Sequence, residues 1–187
     1  MIISIRGTNG SGKTTVITDL MAMGTSKAIY GLLGIKRPEA YELLLDGVAL
    51  PVYILGPYNV PTGGCDQITH YDSIIALIDK YRSKGHVVFE GVIVGSVWGR
   101  VGAVLDKCGK LAVLMFLDTS LDECLRRVQH RRDGRGDVRE YVHKNTIGKY
   151  TAVAKIREKA LAAGLVRVVD TASEKGSAVV RALLGAA

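Results

Sequence analysis

A glycine-rich segment near the amino end carries the clearest chemistry in the sequence. Its eight residues match the pattern G-x-x-x-x-G-K-[ST] in full and are Gly7, Thr8, Asn9, Gly10, Ser11, Gly12, Lys13 and Thr14. Glycines allow a tight turn whose backbone N–H groups face inward, and a following helix adds the positive end of its dipole. A lysine at this position reaches the β- and γ-phosphates, and the next hydroxyl ligates Mg²⁺. The pattern predicts an ATP and Mg²⁺ site, with Lys13 catalytic and Thr14 as the metal ligand.

The residues on either side of this turn support the same interpretation. The apolar run 2–5 precedes the turn, and helix-forming residues follow it. We expect the nucleotide contacts to extend one residue into that helix, and they are Thr8, Asn9, Gly10, Ser11, Gly12, Lys13, Thr14 and Thr15. A GTPase would carry Asn-Lys-x-Asp, which is absent, and motor or recombinase ATPases are usually longer. A kinase is favoured, and an ATP-dependent switch without a phosphoryl acceptor is an alternative.

Two acidic residues and a tyrosine are candidates for the acceptor side. Glu90 ends the buried run 87–89, where it could hold the magnesium shell through water or accept a proton from an attacking hydroxyl. Asp66 is the other candidate base, although an aspartate directly before Gln67 is also a good helix N-cap. Tyr58 follows the strand-like run before it and is expected to contact the substrate. All three belong beyond the carboxyl ends of strands, where open parallel sheets bind ligands.

Arginines in the second half of the chain predict a closing segment. At 100° per residue, Arg127 and Arg131 lie on the side of their helix that buries Leu121, whereas Arg126 points away. Residues 131–137 read as a flexible lid that carries Arg131 and Arg135. Such a loop can close over the γ-phosphate and neutralise charge that develops during transfer, so Arg127 and Arg131 are predicted to be catalytic.

The spacing of apolar runs predicts the fold. Continuous apolar runs of strand length alternate with segments of helical period, and they lie at 2–5, 52–55, 87–89, 111–117 and 165–169. This pattern predicts an α/β three-layer sandwich with a five-stranded parallel sheet and helices on both faces. A length of 187 residues suits one domain spanning residues 1–187.

Helices are predicted between these strands, with one segment less defined. Helical periods cover 14–23, 67–84 and 138–163, and residues 38–45 read as a short helix within a segment, 25–50, that otherwise reads as loop. Capping boxes at Ser120 with Glu123 and at Thr171 with Glu174 predict two further helix starts. Aromatic residues near the expected ligand loops could stack on a base, and they are Tyr53, Tyr58, Tyr71 and Trp98.

The net charge of +7 is concentrated in one part of the chain. Residues 126–159 contain 11 Lys or Arg and 4 Asp or Glu, and the remainder is balanced. A local excess of this kind attracts polyanions, which include nucleotides and nucleic acids. Three cysteines without Cys-x-x-Cys spacing favour neither disulfides nor zinc. No membrane-spanning run or signal peptide is evident, so we expect a cytoplasmic protein.

Several motifs together resemble a known family. The glycine-rich turn, Val-Phe-Glu-Gly ending at Gly91, Phe-Leu-Asp-Thr-Ser ending at Ser120 and the final Val-Val-Asp-Thr-Ala-Ser are similar to nucleoside-monophosphate kinases, thymidylate-kinase-like members especially. The resemblance covers nearly the whole chain. It implies a P-loop kinase fold, ATP, Mg²⁺, a mobile lid and an adenine-contacting segment near the last strand and helix.

One departure from thymidylate kinases concerns the acceptor. They carry Asp-Arg followed by Thr, Tyr or His after the third strand, and here Glu90-Gly91-Val92 stands instead. Gly63-Gly64-Cys65-Asp66, the compact size and the basic charge resemble phage P-loop kinases that phosphorylate 5-hydroxymethyluracil within DNA. That resemblance implies a DNA substrate bound along the basic lid and adjoining helix, in a host cytoplasm. A kinase of a free nucleotide, nucleoside or other small metabolite is the alternative.

Overall fold

A computed structural model gives the fold of the chain and describes residues 1–31, 36–60, 63–91, 99, 108, 111–137, 143–164 and 167–187. One mixed sheet forms its centre, with seven strands in the order β2-β3-β4-β5-β1-β6-β7. The strands are β1 Ile2–Arg6, β2 Thr25–Ile29, β3 Ala40–Leu44, β4 Val52–Leu55, β5 His86–Glu90, β6 Ala112–Leu117 and β7 Arg167–Thr171. Five of them occur where the sequence predicted strands, although residues 165–166 of the last run lie outside the described residues.

The predicted five-stranded parallel sheet was wrong in strand number and in strand direction. β4, β5, β1, β6 and β7 pair in parallel, but β2 and β3 add an antiparallel pair at the edge beside β4. The prediction of a short helix at 38–45 was therefore wrong, because the strand Ala40–Leu44 lies within that range. The alternating burial of Tyr41, Leu43 and Leu45 has the period of two that belongs to strands, and this signal was read as helical.

Helices cover both faces of the sheet. Those whose bounds the structure describes are α1 Lys13–Ala22, α2 Tyr71–Arg82, α3 Leu121–Asp133, α4 Lys144–Ala163 and α5 Gly176–Gly185. One core packs α1 and α5 on one face, with Ile17 and Val180 fully buried there. On the other face α2 packs Ile78 against β5, and α4 packs Ile156 against β6. No helix in these described ranges is long and apolar enough to cross a membrane.

Some helix boundaries differ from the sequence-based predictions and others agree with them. The predicted helix 67–84 begins as α2 only at Tyr71, because residues 65–67 form a separate 3-10 helix. The first five residues of the predicted helix 138–163 lie outside the described residues, and α4 ends at Ala163, followed by Gly164 in a left-handed conformation. The Ser120 cap is confirmed, since its side chain accepts a hydrogen bond from the Glu123 N–H. The Thr171 cap is wrong, because α5 begins after Lys175 without a side-chain cap.

The parallel strands bring the candidate site residues to one edge. The glycine-rich turn follows β1, Asp66 follows β4, and Glu90 ends β5. α3 begins four residues after β6, and residues 172–175 follow β7. Because the carboxyl ends of parallel strands lie at the same edge, these five segments converge there.

Candidate active site

A cavity of about 600 Å³ opens at this edge. Ten of the residues predicted from the sequence line it, and they are Asn9, Gly10, Gly12, Lys13, Thr14, Thr15, Asp66, Glu90, Arg127 and Arg131. They come from four separate stretches of chain. The cavity therefore places the glycine-rich turn, two carboxyl groups and two arginines around a shared space.

Lys13 occupies the floor of the cavity. It is the first residue of α1, and its side chain is 94% inaccessible to solvent, with 6% exposed. Its Nζ donates a hydrogen bond of 2.9 Å to the carbonyl of Thr8, within the same turn. Burial lowers the pKa of Lys13, an effect that the nearby carboxyls of Glu90 and Asp66 oppose. A cation held at the start of a helix, beside inward-facing amides, can bind an anion such as a phosphate.

The turn is held rigidly from outside. Gly10 has φ of 82°, and a Cβ there would lie 2.3 Å from the Cys124 carbonyl oxygen of α3. Thr119 Oγ1 donates to the Ser11 carbonyl at 3.0 Å, so the segment before α3 also contacts the turn. A residue with a side chain at position 10 would be strained in conformation and would collide with backbone. The turn thus depends on the position of α3.

Thr8 and Ser11 do not line this cavity, although both were predicted nucleotide contacts. Thr8 Oγ1 donates to the carbonyl of Thr146 in α4 at 3.0 Å. Both residues line a second cavity, of about 290 Å³, on the α4 side of the turn. The Thr8 side chain therefore fastens the turn to α4, whereas the buried Ser11 Oγ has no hydrogen-bond partner among the described residues.

Glu90 is the more deeply buried carboxyl group, with 2% of its side chain exposed. It accepts a hydrogen bond of 3.1 Å from Thr14 Oγ1, which links the end of β5 to the start of α1. Burial raises its pKa to about 7, Lys13 counteracts this, and Asp66 adds to it. A carboxylate and a hydroxyl at this spacing are oxygen donors of the type that Mg²⁺ takes in phosphoryl-transfer sites.

Asp66 lies beside Glu90 on the neighbouring loop. A Cβ built at Gly91 would be 3.2 Å from Asp66 Oδ1, and one built at Gly64 would be 2.5 Å from Glu90 Oε1. Gly64 also has φ of 81°, so only glycine brings this loop so close to β5. The alternative that Asp66 caps a helix was wrong, because it lies within the 3-10 helix Cys65–Gln67 and α2 starts later. Its carboxyl group lines the cavity, where a substrate could reach it.

Tyr58 is positioned by Tyr41 and contributes a buried hydroxyl. Its backbone N–H donates to Tyr41 Oη at 3.3 Å, and the two rings meet edge to face with centroids 6.1 Å apart. Burial raises the pKa of Tyr58 well above its ordinary value, and Glu90 and Asp66 add to the rise. Among the described residues its Oη has no hydrogen-bond partner. Tyr58 therefore lies near both carboxyl groups with a donor available.

The other aromatic candidates have different roles. Tyr53 stacks on Tyr81 with ring centroids 4.7 Å apart and donates to Glu42 at 3.0 Å, so it belongs to the core. Tyr71 starts α2 and packs against the same core. Trp98 lies outside the described residues.

Arg127 joins the turn to α3. Its Nε donates to Glu123 at 2.6 Å, and its Nη1 donates to the Gly10 carbonyl at 3.4 Å and to Ser173 Oγ at 3.5 Å. The prediction that Arg126 points away from the site was wrong, because Arg126 also lines the cavity and donates twice to Glu123. These arginines lower the pKa of Glu123 to about 2.

The predicted lid at 131–137 begins inside a helix. Arg131 belongs to the last turn of α3, which ends at Asp133, so the prediction of a loop from residue 131 was wrong. α3 continues for these residues because backbone hydrogen bonds reach Gly134, whose N–H donates to the His130 carbonyl at 3.0 Å. Arg131 is exposed and lines the cavity. Arg135 is exposed but does not belong to the described lining of the cavity.

Several lining residues were missed from the sequence. His130, Asp19, Ser173 and Glu174 face the cavity, and Glu123 holds both arginines. The spacing of Glu123 and Arg127, four apart on a helix, was a signal that could have predicted their ion pair. No comparable signal marks Asp19 or His130, since single polar residues on a helix are usually solvated.

These features define an α/β protein in which a glycine-rich turn faces two carboxyl groups across one cavity. Residues 1–174 match the family described as 5-hmdU DNA kinase. A 5-hmdU DNA kinase of Pseudomonas phage PaMx11 is 34% identical over 166 residues, which cover 88% of this chain and 87% of the relative. A 5-hmdU DNA kinase of Pseudomonas phage M6 is 31% identical over 170 residues, with 87% and 86% covered. The chain belongs to the 5-hmdU DNA kinase family.

Proposed function

We propose that this protein is an ATP-dependent P-loop kinase that phosphorylates the 5-hydroxymethyl group of 5-hydroxymethyluracil in DNA. The observation that carries the proposal is the shared cavity, in which Lys13 and Thr14 face Asp66 and Glu90. A phosphoryl donor and an acceptor hydroxyl can meet there. The names of the two phage relatives supply the acceptor, and each of them covers most of this chain.

The donor side would hold ATP through its triphosphate. The backbone N–H groups of residues 9–15 would surround the β-phosphate, and Lys13 would leave its contact with Thr8 to reach the γ-phosphate. Thr14 and Glu90 would hold Mg²⁺, which when bound neutralises charge on the β- and γ-phosphate oxygens. Ser173 and Glu174, at the far end of the cavity, are in position to border the nucleoside.

We assign the base to Asp66 and the metal shell to Glu90. Glu90 is already engaged by Thr14 and is almost fully buried, which suits a group that acts on the metal. Asp66 is half-buried on the loop that faces the opening, which suits a group that meets an incoming hydroxyl. Tyr58 would donate a hydrogen bond from its buried hydroxyl to the modified base.

The transfer itself is a displacement at phosphorus. Asp66 accepts the proton as the hydroxymethyl oxygen bonds to the γ-phosphorus, and the bond from phosphorus to the β–γ bridging oxygen breaks. The products are ADP and a phosphate monoester of the hydroxymethyl group on the base. Arg127 and Arg131 would stabilise negative charge on the transferring group, with residues 131–137 closing over it as a lid within a single domain of residues 1–187.

The basic surface beyond the cavity would bind the DNA backbone. α4 carries Lys144, Lys155 and Lys159, all exposed, and they lie on one side of the helix at 100° per residue. The start of α4 lies close to the turn, because Thr8 donates to the Thr146 carbonyl, so we infer that these lysines and the exposed arginines of α3 form a cationic surface that begins beside the cavity. Lysines and arginines on such a surface neutralise phosphates and release counterions, so affinity should fall steeply as salt rises.

Labelled ATP and a panel of acceptors test the proposal. The panel contains duplex DNA with thymine, duplex DNA with 5-hydroxymethyluracil, and the free nucleoside and monophosphate. Label on hydroxymethylated DNA alone is the expected result, with transfer that weakens as salt rises. Label on a free nucleoside or nucleotide would instead support a small-metabolite kinase. Release of phosphate without any labelled acceptor would support a nucleotide-driven switch.

A further inference from the structure

The hairpin formed by β2 and β3, at the edge of the sheet, brings a basic segment close to Asp66, on the side of the cavity where the acceptor is proposed to bind. Ile29 pairs with Ala40, and Ala40 pairs with Leu55 at the carboxyl end of β4. The connection between β2 and β3 therefore lies at the same edge of the sheet as Asp66. Its described residues are 30, 31 and 36–39, and they include Lys36 and Arg37. No step of the proposed transfer uses either residue.

Hydrogen bonds join this segment to the loop that carries Asp66. The Gly56 N–H donates to the Glu39 carbonyl at 2.8 Å, and Asn59 Nδ2 donates to the Lys36 carbonyl at 3.4 Å. Arg37 Nη1 donates to Gln67 Oε1 at 3.5 Å. Since Gln67 directly follows Asp66, the guanidinium of Arg37 lies beside the acceptor loop.

The positive charges of Lys36 and Arg37 are not neutralised locally. Both side chains are exposed, and within the described part of the chain neither is paired with a carboxylate. The acceptor of the Arg37 hydrogen bond is a neutral amide. Lys36 contacts its neighbour through its backbone carbonyl, which leaves its ammonium group facing solvent. Two cations beside the part of the cavity that Asp66 lines favour the binding of a polyanion there.

We propose that Lys36 and Arg37 bind the DNA phosphates next to the target nucleotide, and this inference rests on the proposed function. The 5-hydroxymethyl group must enter the cavity to reach Asp66, so its base leaves the stack and its flanking phosphates come to the cavity opening. Phosphate contacts at that place fix the register of the strand. The acceptor side thus has its own DNA contact, separate from the cationic surface of α3 and α4.

Steady-state kinetics on a duplex with one 5-hydroxymethyluracil tests this site, using Arg37→Ala and the double variant Lys36→Ala/Arg37→Ala. We expect Arg37→Ala to raise KM about 10-fold near 0.1 M salt, with kcat at saturating DNA unchanged. The plot of log affinity against log salt should become shallower by about one unit for each cation removed. Arg37→Lys should recover most of the loss.

Arg181→Ala is the matched control. Arg181 is also an exposed arginine that donates to a neutral oxygen, the Asp46 carbonyl, at 3.0 Å. It lies at the opposite edge of the sheet, because Asp46 follows the end of β3 that is distant from Ala40. Its removal should leave KM and the salt dependence as they are in the wild type.

Two results would overturn the inference. A fall in kcat with an unchanged salt dependence would show that Arg37 only supports Gln67 and Asp66. KM and salt dependence equal to the wild type would show that neither cation contacts DNA. Failure of the wild type to phosphorylate the duplex would reject the proposed function instead. Fluorescence anisotropy would then still test the site, because it measures binding of the same duplex without phosphoryl transfer. A salt dependence of affinity that is equal in the double variant and the wild type would contradict the inference.

Discussion

The donor side and the acceptor side of the cavity are stabilised in different ways. The donor side is one continuous turn, residues 7–14, whose backbone amides are proposed to bind the phosphates and whose Gly10 lies against the backbone of α3. The acceptor side combines side chains from separate segments. Glu90 lies on β5, Asp66 follows β4, and residues 36–39, the tip of the hairpin of β2 and β3, lie beside them. The hydrogen bond from Arg37 to Gln67 joins the hairpin tip to the loop that carries Asp66, and the hydrogen bond from Thr14 to Glu90 joins β5 to the turn.

Because of this difference, mutations on the donor side and on the acceptor side should have different effects. Most substitutions on the donor side leave the amides in place, so only a change in Lys13 or in the backbone conformation should remove its function. On the acceptor side the proposal gives each side chain one task, so single substitutions should separate chemistry, metal binding and DNA binding. The predictions below compare the two sides in order of decreasing effect.

Lys13→Ala is expected to have the largest effect. Removing the buried cation should lower kcat for phosphoryl transfer by about 10³-fold or more, because the proposed contact between Lys13 and the γ-phosphate would be lost. The fold should persist, since burial already lowers the pKa of Lys13 and its removal relieves an unfavourable desolvation. Labelled transfer and thermal unfolding measure the two quantities.

Lys84→Ala controls for the loss of a lysine. Lys84 is exposed in the turn after α2, at the opposite edge, with its Nζ 5.6 Å from the centroid of the Tyr81 ring. Activity should remain at the wild-type value. Wild-type turnover in Lys13→Ala would show that the glycine-rich turn does not bind the phosphoryl donor. The comparison between the two sides would then fail.

Asp66→Asn and Glu90→Gln should separate the two carboxyl groups. Asp66→Asn removes the proposed base and should lower kcat by about 10² to 10³-fold at every Mg²⁺ concentration, with ATP binding retained. Glu90→Gln keeps the size of the side chain but weakens the metal shell, so higher Mg²⁺ should recover part of its loss. Transfer assays across a Mg²⁺ series make the measurement. Recovery by Mg²⁺ in Asp66→Asn, and none in Glu90→Gln, would reverse the assignment.

The donor side could be predicted from the sequence because its information is contiguous. Eight neighbouring residues specify both the turn and its chemistry, and the structure places Lys13 and Thr14 at the expected cavity. The strands that carry the site residues could also be predicted from the sequence, because continuous apolar runs are typical of strands covered on both faces. Family membership agrees with the resemblance drawn from those motifs.

The acceptor side was less predictable because its contacts join distant parts of the chain. The pairing of Ala40 with Leu55 depends on tertiary structure, so residues 38–45 were read as a helix and the hairpin tip had no role. Asp66 preceded a helical pattern, and its capping role was equally plausible until α2 proved to start at Tyr71. Local patterns describe an element, but they do not state which elements meet.

The pH dependence of stability tests the burial of Glu90. In the absence of Mg²⁺ and ATP its pKa is about 7 in the folded protein, against an ordinary value of 4.5. Between these values the folded protein keeps a proton that the unfolded chain releases, so the free energy of unfolding falls as pH rises from 4.5 to 7. The total loss is about 3 kcal/mol for this difference in pKa.

Urea unfolding of the wild type and Glu90→Gln, at pH 5 and at pH 8 with a chelator, measures this loss. Glutamine cannot ionise, so the variant should not lose stability in this way. From pH 5 to pH 8, its free energy of unfolding should therefore rise by about 3 kcal/mol relative to that of the wild type. Parallel pH dependence in the two proteins would show that the Glu90 carboxylate is well solvated. It would also weaken the division between a buried metal-holding carboxyl group and an accessible base.

The smallest expected effect comes from a pair of glycine substitutions that tests the backbone character of the donor side. Gly10→Ala should destabilise the protein by about 2 kcal/mol and weaken ATP binding, because φ of 82° disfavours alanine and its Cβ would lie 2.3 Å from the Cys124 carbonyl. Gly148→Ala should stabilise by about 0.5 to 1 kcal/mol, since Gly148 lies within α4 with nothing described within 4 Å. Thermal unfolding and ATP titration report both. If Gly10→Ala kept full stability and ATP affinity, the turn would be adjustable, and the contrast between a rigid donor side and an assembled acceptor side would be lost.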